Sequence, residues 1–272
     1  MDAIAALQAI KFLQPISDVE PIESGLSHHC FKVTAHSNSY FVKVYKTATN
    51  ASFTEQIKIE QLTGEQGLSP KVIDYCRLGS YCVYQYVAGE TLLESDASNS
   101  DKNTMLIDLL VTCHAIQHKP IPLDIKQSIK SLIQRIKLAH STKSKIIDKV
   151  STCLQALALN KDELVLCHGD LNYSNVLIAD NKPILVDWEY GCLAEKEYDI
   201  AMMLAINNVP AERYSAIIDE YNLKAQSTPA KLSKVIQYLS LCELLNTLWF
   251  MQSNNISKIT DANIAQALKP FV

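Results

Sequence analysis

The stretch VLCHGDLNYSNVLIADNKPILVDWEYG, residues 165–191, places polar side chains between short apolar runs. The runs LVLC, NVLIA and PILVD have the length and aliphatic content of β-strands. Asp170 follows the first run, Asn175 opens the second and Asp187 ends the third. Pairing of the second and third runs as a hairpin would return Asn175 and Asp187 to the same end. The stretch therefore predicts a small β insert with polar side chains at its strand ends.

These three side chains fit the chemistry of phosphoryl transfer. A carboxylate at Asp170, held in a tight loop, can accept a proton from an attacking hydroxyl. The amide oxygen of Asn175 and the carboxylate of Asp187 are hard ligands, which suit Mg²⁺ bound together with substrate phosphates. Any one of the three alone is more simply a turn residue. Their order, with His168 two positions before Asp170, favours a base followed by two metal ligands and predicts ATP and Mg²⁺ as cofactors.

Composition limits the classes of partner. The chain has 272 residues, 48% of them hydrophobic, and a formal net charge of −4. A mildly acidic charge suits a cationic substrate, but it is also ordinary for a soluble protein. There is no basic block of the kind that binds nucleic acid, and no apolar run approaches the ~18 residues needed to cross a bilayer. We expect no nucleic-acid, membrane or obligatory protein partner.

The cysteines indicate a reducing compartment. Eight are present and none form a CxxC pair. The first residues, MDAIAALQAIKFL, lack a positive n-region and a cleavage site and are typical of an amphipathic helix. We therefore expect reduced, mostly buried thiols in a cytoplasmic protein.

The two parts of the chain differ in pattern. Residues 1–88 are mostly strand-like: HHCFKVTAH and SYFVKVYK flank a polar SNS, which predicts a hairpin. A helix is expected between an N-cap at Asn50 or Ser52 and a closing Gly67. A polar, turn-rich stretch, 88–103, is the candidate linker, and the remainder is mostly helical apart from the β insert. This order predicts an α+β fold with an N-lobe over 1–88 and a C-lobe over 89–272.

The segments CHGDLNYSNVLI and VDWEY resemble the aminoglycoside phosphotransferase and choline kinase superfamily. The resemblance implies a two-lobed protein-kinase-like fold, with a small nucleotide-binding N-lobe and a larger C-lobe that carries the catalytic loop, the hairpin insert and the acceptor site. It also implies that Asp170 is the catalytic base, that Asn175 and Asp187 bind Mg²⁺, and that His168 is a structural loop residue. The segment YDIA resembles a motif that makes Asp199 a brace for the catalytic loop; the alternative is a helix N-cap.

A lysine and a helix carboxylate are expected at the ATP site. Lys43 lies in the strand-like run SYFVKVYK, where it can reach phosphates as a point charge. The alternative is a solvent-facing strand lysine, as expected for Lys46. Both Glu55 and Glu60 lie on the following helix and qualify as its partner. We choose Glu55, because its distance to Pro70 resembles the family spacing.

Four further ATP contacts depend on the resemblance. The segment ESGLSHHCFKV has no GxGxxG, but it resembles the family's phosphate loop and makes Gly25 and Ser27 candidate phosphate contacts. The segment YCVYQYVAGETL resembles the family's strand and hinge, which makes Gln85 and Val87 candidates for backbone contacts to adenine, with Gly89 at the turn.

His114 and His118 lie four residues apart on a predicted helix, a spacing that can bind zinc. No further set of ligands accompanies them. The surrounding LLVTCHAIQHKP resembles the helix-ending LH element of the same family. We therefore favour a structural role.

The acceptor is expected to be the alcohol group of a small molecule. Glu189, Tyr190, Glu243 and Trp249 could form an aromatic and acidic site for a cationic alcohol. The alternative for Trp249 is core packing, together with a leucine stripe on the same helix.

Within the superfamily, the motifs GLS, DWEYG and DIAMMLA and a late Trp–Phe look most similar to bacterial thiamine kinases. Choline kinases generally carry an acidic residue shortly after the D-[LI]-A motif, where this chain has MMLAINN; the insert CLAEKEY departs from the thiamine kinases. The best prediction is phosphorylation of thiamine to thiamine phosphate. The alternatives are a choline or ethanolamine kinase, an aminoglycoside phosphotransferase, and a nucleotide-binding pseudokinase without turnover.

Overall fold

The computed structural model describes residues 3–22, 28–45, 51–157 and 159–253. The chain divides into two compact units, one formed by 1–96 with 174–190 and the other by 97–173 with 191–272. The predicted lobe boundary after residue 88 stays a prediction; segment 174–190 belongs to the first unit. Within the described ranges, no helix combines the length and apolarity needed to span a membrane.

The strands in chain order are β1 (Ile16–Ile22), β2 (His28–Ala35), β3 (Asn38–Tyr45), β4 (Val72–Tyr75), β5 (Tyr81–Gln85), β6 (Glu90–Thr91), β7 (Leu164–Cys167), β8 (Val176–Ala179), β9 (Lys182–Leu185) and β10 (Cys192–Glu195). The α-helices are α1 (Ala3–Gln8), α2 (Ala51–Glu65), α3 (Asn99–His114), α4 (Ile125–Arg135), α5 (His140–Ala156), α6 (Lys196–Ile206), α7 (Tyr214–Lys224) and α8 (Leu232–Ser253). Short 3₁₀ turns cover Lys11–Leu13, Lys161–Glu163, Tyr173–Asn175 and Ala211–Arg213.

The first unit contains an antiparallel five-stranded sheet in the order β1-β2-β3-β5-β4. The predicted hairpin is confirmed: β2 and β3 are joined at His36 and Ser37, whose φ angles are 51° and 61°. A two-residue turn with both φ angles positive has a twist that matches the strands it joins. The predicted helix is also present as α2, whose Phe53 and Ile57 pack on the sheet.

The first unit also contains a three-stranded sheet in the order β6-β8-β9. The β8–β9 hairpin turns at Asp180 and Asn181, with φ angles of 49° and 60°. The candidate linker therefore contains a strand, since β6 pairs with β8. Gly89 precedes β6, and a Cβ at this position would lie 2.3 Å from the Ile178 carbonyl oxygen. The close approach of the two backbones explains the glycine.

The second unit is mostly helical and includes the two-stranded sheet of β7 and β10. The insert CLAEKEY forms β10 and the first turn of α6. Helix α6 packs against α8 and has all of residues 196–204 buried. The expected leucine stripe of α8 is in the core, as Leu241, Leu244, Leu245 and Leu248 are all buried.

Candidate active site

In the first unit, the buried Lys43 on β3 forms an ion pair with the partly exposed Asp187. The lysine is 6% exposed, and its Nζ donates to Asp187 Oδ1 at 2.9 Å. Burial alone would lower the pKa of Lys43, but the charges of Asp187 and Glu60 raise it above the ordinary value. Lys43 therefore stays an ammonium ion, and the alternative of a solvent-facing strand lysine is wrong.

The carboxylate of Glu60 is buried close to this pair. Glu60 is 3% exposed and accepts hydrogen bonds from Tyr84 Oη at 2.8 Å and from Gln56 Nε2 at 3.0 Å. Burial raises its pKa, and the charge of Lys43 opposes that shift. Two neutral donors and a nearby cation are what a buried carboxylate requires.

Lys43 and Glu60 line the same small cavity, of about 40 Å³. Its lining residues are Phe41, Lys43, Glu60, Ser69, Pro70, Tyr84, Leu185, Val186, Asp187 and Trp188. Pockets for drug-sized ligands measure about 300–1,000 Å³, so this cavity is a gap beside Lys43 and too small for a nucleotide. The indole of Trp188 donates to Ser69 Oγ at 2.8 Å and fixes one wall.

Glu55 points elsewhere on α2. It accepts a hydrogen bond from Lys58 Nζ at 3.2 Å, and it is not among the described residues that line the cavity. At 100° per residue, positions 55 and 60 differ by about 140° around a helix. The structure thus brings Glu60, not Glu55, to the cavity with Lys43. The role of Glu55 at the ATP site stays a prediction.

The β8–β9 hairpin brings the two expected metal ligands to one end. Asn175 immediately precedes β8, and its carbonyl accepts the Val186 N–H at 3.0 Å, one residue before Asp187. The left-handed φ of 68° at Asp187 turns the chain directly after the hairpin. A carboxylate and an amide oxygen at one hairpin end fit a hard divalent cation such as Mg²⁺.

For the remaining candidate ATP contacts, the structure gives little information about a role at the nucleotide. Gly25 and Ser27 lie outside the described residues. The Gln85 N–H is used within the first unit, where it donates to the Lys71 carbonyl at 2.8 Å. Val87 lies half-buried between β5 and β6. Adenine contacts at Gln85 and Val87 stay predictions.

In the second unit, Asp199 holds the loop that carries Asp170. The Asp199 side chain is fully buried and accepts the backbone N–H of His168 at 2.8 Å and of Gly169 at 2.9 Å. His168 Nδ1 accepts the Asp170 N–H at 3.3 Å, and Gly169 has a φ of 77°. Helix α6 begins at Lys196 with Glu195 as its N-cap. Asp199 is therefore not an N-cap, and its carboxylate is bonded to the loop.

Asp199 has a third partner in His114. The imidazole Nε2 lies 3.2 Å from Asp199 Oδ2, and Nδ1 lies 2.8 Å from Tyr221 Oη. Burial would raise the pKa of Asp199, but the bonds from His114 and the Gly169 N–H hold it below its ordinary value. Ligand atoms of His114, Cys167 and Asp199 lie within 4.8 Å of one another. Since the structure already engages these side chains in hydrogen bonds, their geometry supports a structural role.

One contact of the loop was missed by the sequence analysis. Asn207, the C-cap of α6, accepts the Tyr173 N–H through Oδ1 at 3.0 Å and donates through Nδ2 to the Leu171 carbonyl at 3.0 Å. An asparagine at a helix C-terminus is an ordinary residue choice. The sequence therefore carried no signal of this second role.

The four acceptor candidates are distributed over both units. In the first, Glu189 lies 3.1 Å from His28 Nε2, and Tyr190 is 42% exposed. In the second, Glu243 and Trp249 lie on α8; partial burial raises the pKa of Glu243. Trp249 is 39% exposed, which speaks against core packing for this residue.

The chain belongs to the phosphotransferase enzyme family, whose model matches residues 18–233. This membership confirms the predicted superfamily.

A curated protein and two solved structures are among the known proteins that are similar to the chain. The LicA homolog of Mycoplasma capricolum is 26% identical over 148 residues, which cover 51% of this chain and 61% of that protein. The choline kinase LicA of Streptococcus pneumoniae has a solved structure with a TM-score of 0.77 at 16% identity, covering 99% of this chain and 98% of that one. The amicoumacin kinase hAmiN, solved with AMP-PNP, Ca²⁺ and Ami, has a TM-score of 0.73 at 16% identity, with coverages of 100% and 92%.

The structural likeness confirms the predicted α+β, protein-kinase-like fold. The chain spans at most 61% of the length of the curated relatives it matches, which are LicA-type proteins and choline kinases. The specific resemblance to thiamine kinases stays a prediction.

Proposed function

We propose that the chain is an ATP-dependent kinase that phosphorylates the hydroxyl of a small cationic amino alcohol, with choline or ethanolamine as the first candidate. The observation that carries the proposal is the ion pair between the buried Lys43 and Asp187, at the hairpin end that also holds Asn175. A fixed cation beside two hard oxygen ligands is suited to nucleotide phosphates and a divalent metal. The AMP-PNP and Ca²⁺ held by hAmiN support this assignment.

Each residue has a distinct role in the proposed reaction. Asp170 accepts the proton of the acceptor hydroxyl, whose oxygen bonds to the γ-phosphorus while the bond to the β–γ bridging oxygen breaks and ADP leaves. Lys43 neutralises phosphate charge. Asn175 and Asp187 would hold Mg²⁺, which would offset the negative charge of the phosphates. We assign the buried Glu60, in preference to Glu55, as the carboxylate that accompanies Lys43.

The relatives favour choline over thiamine as the acceptor. The named relatives include LicA proteins and choline kinases. A cationic acceptor also suits acidic and aromatic side chains such as Glu243 and Trp249. Thiamine is the second candidate, because the segment MMLAINN lacks the acidic residue expected of choline kinases.

A turnover assay tests the proposal. ADP production with Mg·ATP is measured with choline, ethanolamine, thiamine and an aminoglycoside, and the acceptors are ranked by kcat/KM, since discrimination is a ratio of those values. We expect choline or ethanolamine to rank first, with a phosphorylated acceptor detected by mass spectrometry. Nucleotide binding without stimulation by any acceptor would instead indicate a binding module.

The substitution Asp170→Asn tests whether Asp170 is the base that accepts the proton. The amide cannot accept a proton at neutral pH, so we expect kcat to fall by about 100- to 10,000-fold with little change in nucleotide affinity. Asp180→Asn is the matched control, since Asp180 lies in the β8–β9 turn at a positive φ that asparagine also tolerates. Turnover by Asp170→Asn at the rate of Asp180→Asn would remove Asp170 from the base role.

A further inference from the structure

Resting on the proposed function, we infer that Asn207 is a positioning residue that sets the catalytic loop through a two-bond clamp. Its side-chain amide accepts the Tyr173 N–H at 3.0 Å and donates to the Leu171 carbonyl at 3.0 Å. These two residues directly follow Asp170 and Asn172 in the loop. Asn207 itself is anchored, because Nδ2 also donates to the Met203 carbonyl at 2.8 Å.

The clamp completes a pair of attachments from one helix. Asp199, in the first turn of α6, holds the amides of His168 and Gly169. Asn207 follows the last turn, eight residues later, which corresponds to about 12 Å along a helix and about 80° around it. The two side chains thus project from a similar side of α6. Asp170 is the loop residue between the two attachments, so both limit where its carboxylate can move.

The chemistry of the clamp requires an amide. The loop presents one donor, the Tyr173 N–H, and one acceptor, the Leu171 carbonyl. An asparagine side chain supplies the matching acceptor through its Oδ1 and the matching donor through its Nδ2. Aspartate keeps the acceptor and loses the donor, and alanine loses both. Tyr173 is further held by its hydroxyl, which donates to Asn103 Oδ1 on α3 at 2.7 Å. Removing the Asn207 amide therefore frees the backbone beside Asp170 while the tyrosine ring stays attached.

Asn222 is a matched control within the same unit. Its Oδ1 accepts the Ala230 N–H at 2.7 Å, and its Nδ2 donates to the Ala230 carbonyl at 3.0 Å. This is a clamp of the same design, and it holds the segment that follows α7. Each alanine variant removes the two bonds of a clamp, and Asn207→Ala also removes the bond to the Met203 carbonyl. Only Asn207→Ala is expected to affect the catalytic loop.

The experiment compares steady-state kinetics with Mg·ATP and the best acceptor. Misplacement of a reacting group by about 1 Å can cost about 100-fold in rate, so we expect kcat of Asn207→Ala to fall by up to that factor. The KM for ATP should stay within about twofold, as expected when only the transition state is affected. Asn222→Ala should keep the wild-type kcat, and Asn207→Asp should lie between wild type and Asn207→Ala. Equal losses in the two alanine variants would reduce the role of Asn207 to stability and overturn the inference.

Amide hydrogen exchange separates this inference from the proposed function. We expect the Tyr173 N–H to lose protection in Asn207→Ala and to keep it in Asn222→Ala, whether or not the wild type turns over any acceptor tried. Absence of wild-type turnover would count against the proposed function, while this exchange difference would still support the clamp. Retained protection of Tyr173 in Asn207→Ala would overturn the clamp even in an active kinase.

Discussion

Lys43 illustrates how single residues keep a buried charge. An amine moved out of water without partners lowers its pKa and loses its proton. Lys43 avoids this because Asp187 Oδ1 lies 2.9 Å away and Glu60 lines the same cavity. The side chain is therefore a cation on a strand that is paired on both sides. Such a charge can receive phosphate oxygens without paying again for its own desolvation.

The first residue-scale prediction separates Glu60 from Glu55. Glu60→Gln keeps the shape and the acceptor for Tyr84 but removes a negative charge near Lys43, so kcat/KM for ATP should fall by about tenfold, or about 1.4 kcal/mol. Glu55→Gln removes the charge that pairs with Lys58, whose side chain is 57% exposed. It should stay within about twofold, because ion pairs at the surface contribute little. Steady-state kinetics decide: a larger loss in Glu55→Gln would restore the sequence-based choice.

The sequence predicted some of these residues better than others. The spacing of Asn175 and Asp187 follows from a hairpin, which local sequence specifies through its turn and strand composition. Asp170 precedes that hairpin, in the loop after β7. The choice between Glu55 and Glu60 depends on which side of α2 faces the sheet. That side is decided by tertiary packing, since both residues suit a helix equally well.

At the scale of elements, α6 organises the second unit. Its buried surface runs all round the helix, from Lys196 to Leu204, so any polar residue on it must find a partner. Asp199 finds two loop amides and His114, and Asn207 finds the next loop segment. The helix thereby serves as the support on which the loop of Asp170 is built. Sequence periodicity predicted a helix here, but it could not predict that the polar positions would bind a loop.

The element-scale prediction concerns Asp199 and pH. Asp199→Asn exchanges a charged acceptor for an amide, and each hydrogen bond to a charged group contributes about 1.5–3 kcal/mol. The folded pKa of Asp199 lies below its ordinary value of 3.8. The carboxylate's contribution is therefore fully present above that pH and is lost as pH falls through the lower folded value. Urea unfolding should show a wild-type advantage that is constant near neutrality and shrinks in acid.

Asp162→Asn controls for a general effect of removing a carboxylate. Asp162 is exposed, close before β7, and surface substitutions usually stay within about 0.5 kcal/mol. We expect its unfolding curves to follow the wild type at every pH. An Asp199→Asn deficit that persists undiminished in strong acid would show that the loss does not come from the charge.

At the scale of the whole molecule, one segment packs with a unit other than the one that surrounds it in sequence. The hairpin 174–190 lies in sequence between parts of the second unit, yet it belongs to the first. The two-residue strand β6 connects it there by pairing with β8 from within a polar, turn-rich stretch. The contacts of Asp187 with Lys43 and of Trp188 with Ser69 add to this pairing. Composition indicates a linker in such a stretch, because a strand of two residues has no detectable periodicity. The fold class was predictable from motifs and patterns, while this strand pairing required the structure.

The last prediction concerns the eight thiols of the molecule. All eight lie among the described residues and none forms a disulfide; Cys76 and Cys153 are partly exposed and the other six are buried. A thiol must be accessible and ionised to react. A hydrogen bond with Ser80 lowers the pKa of Cys76, whereas burial raises that of Cys153. With a disulfide-exchange reagent near neutral pH, the native protein should therefore show one fast thiol, one slower thiol and six protected ones. Denaturant should release all eight, and Cys76→Ser should remove the fast phase alone. A buried thiol reacting as fast as Cys76 would mean that the core opens more readily than its packing indicates.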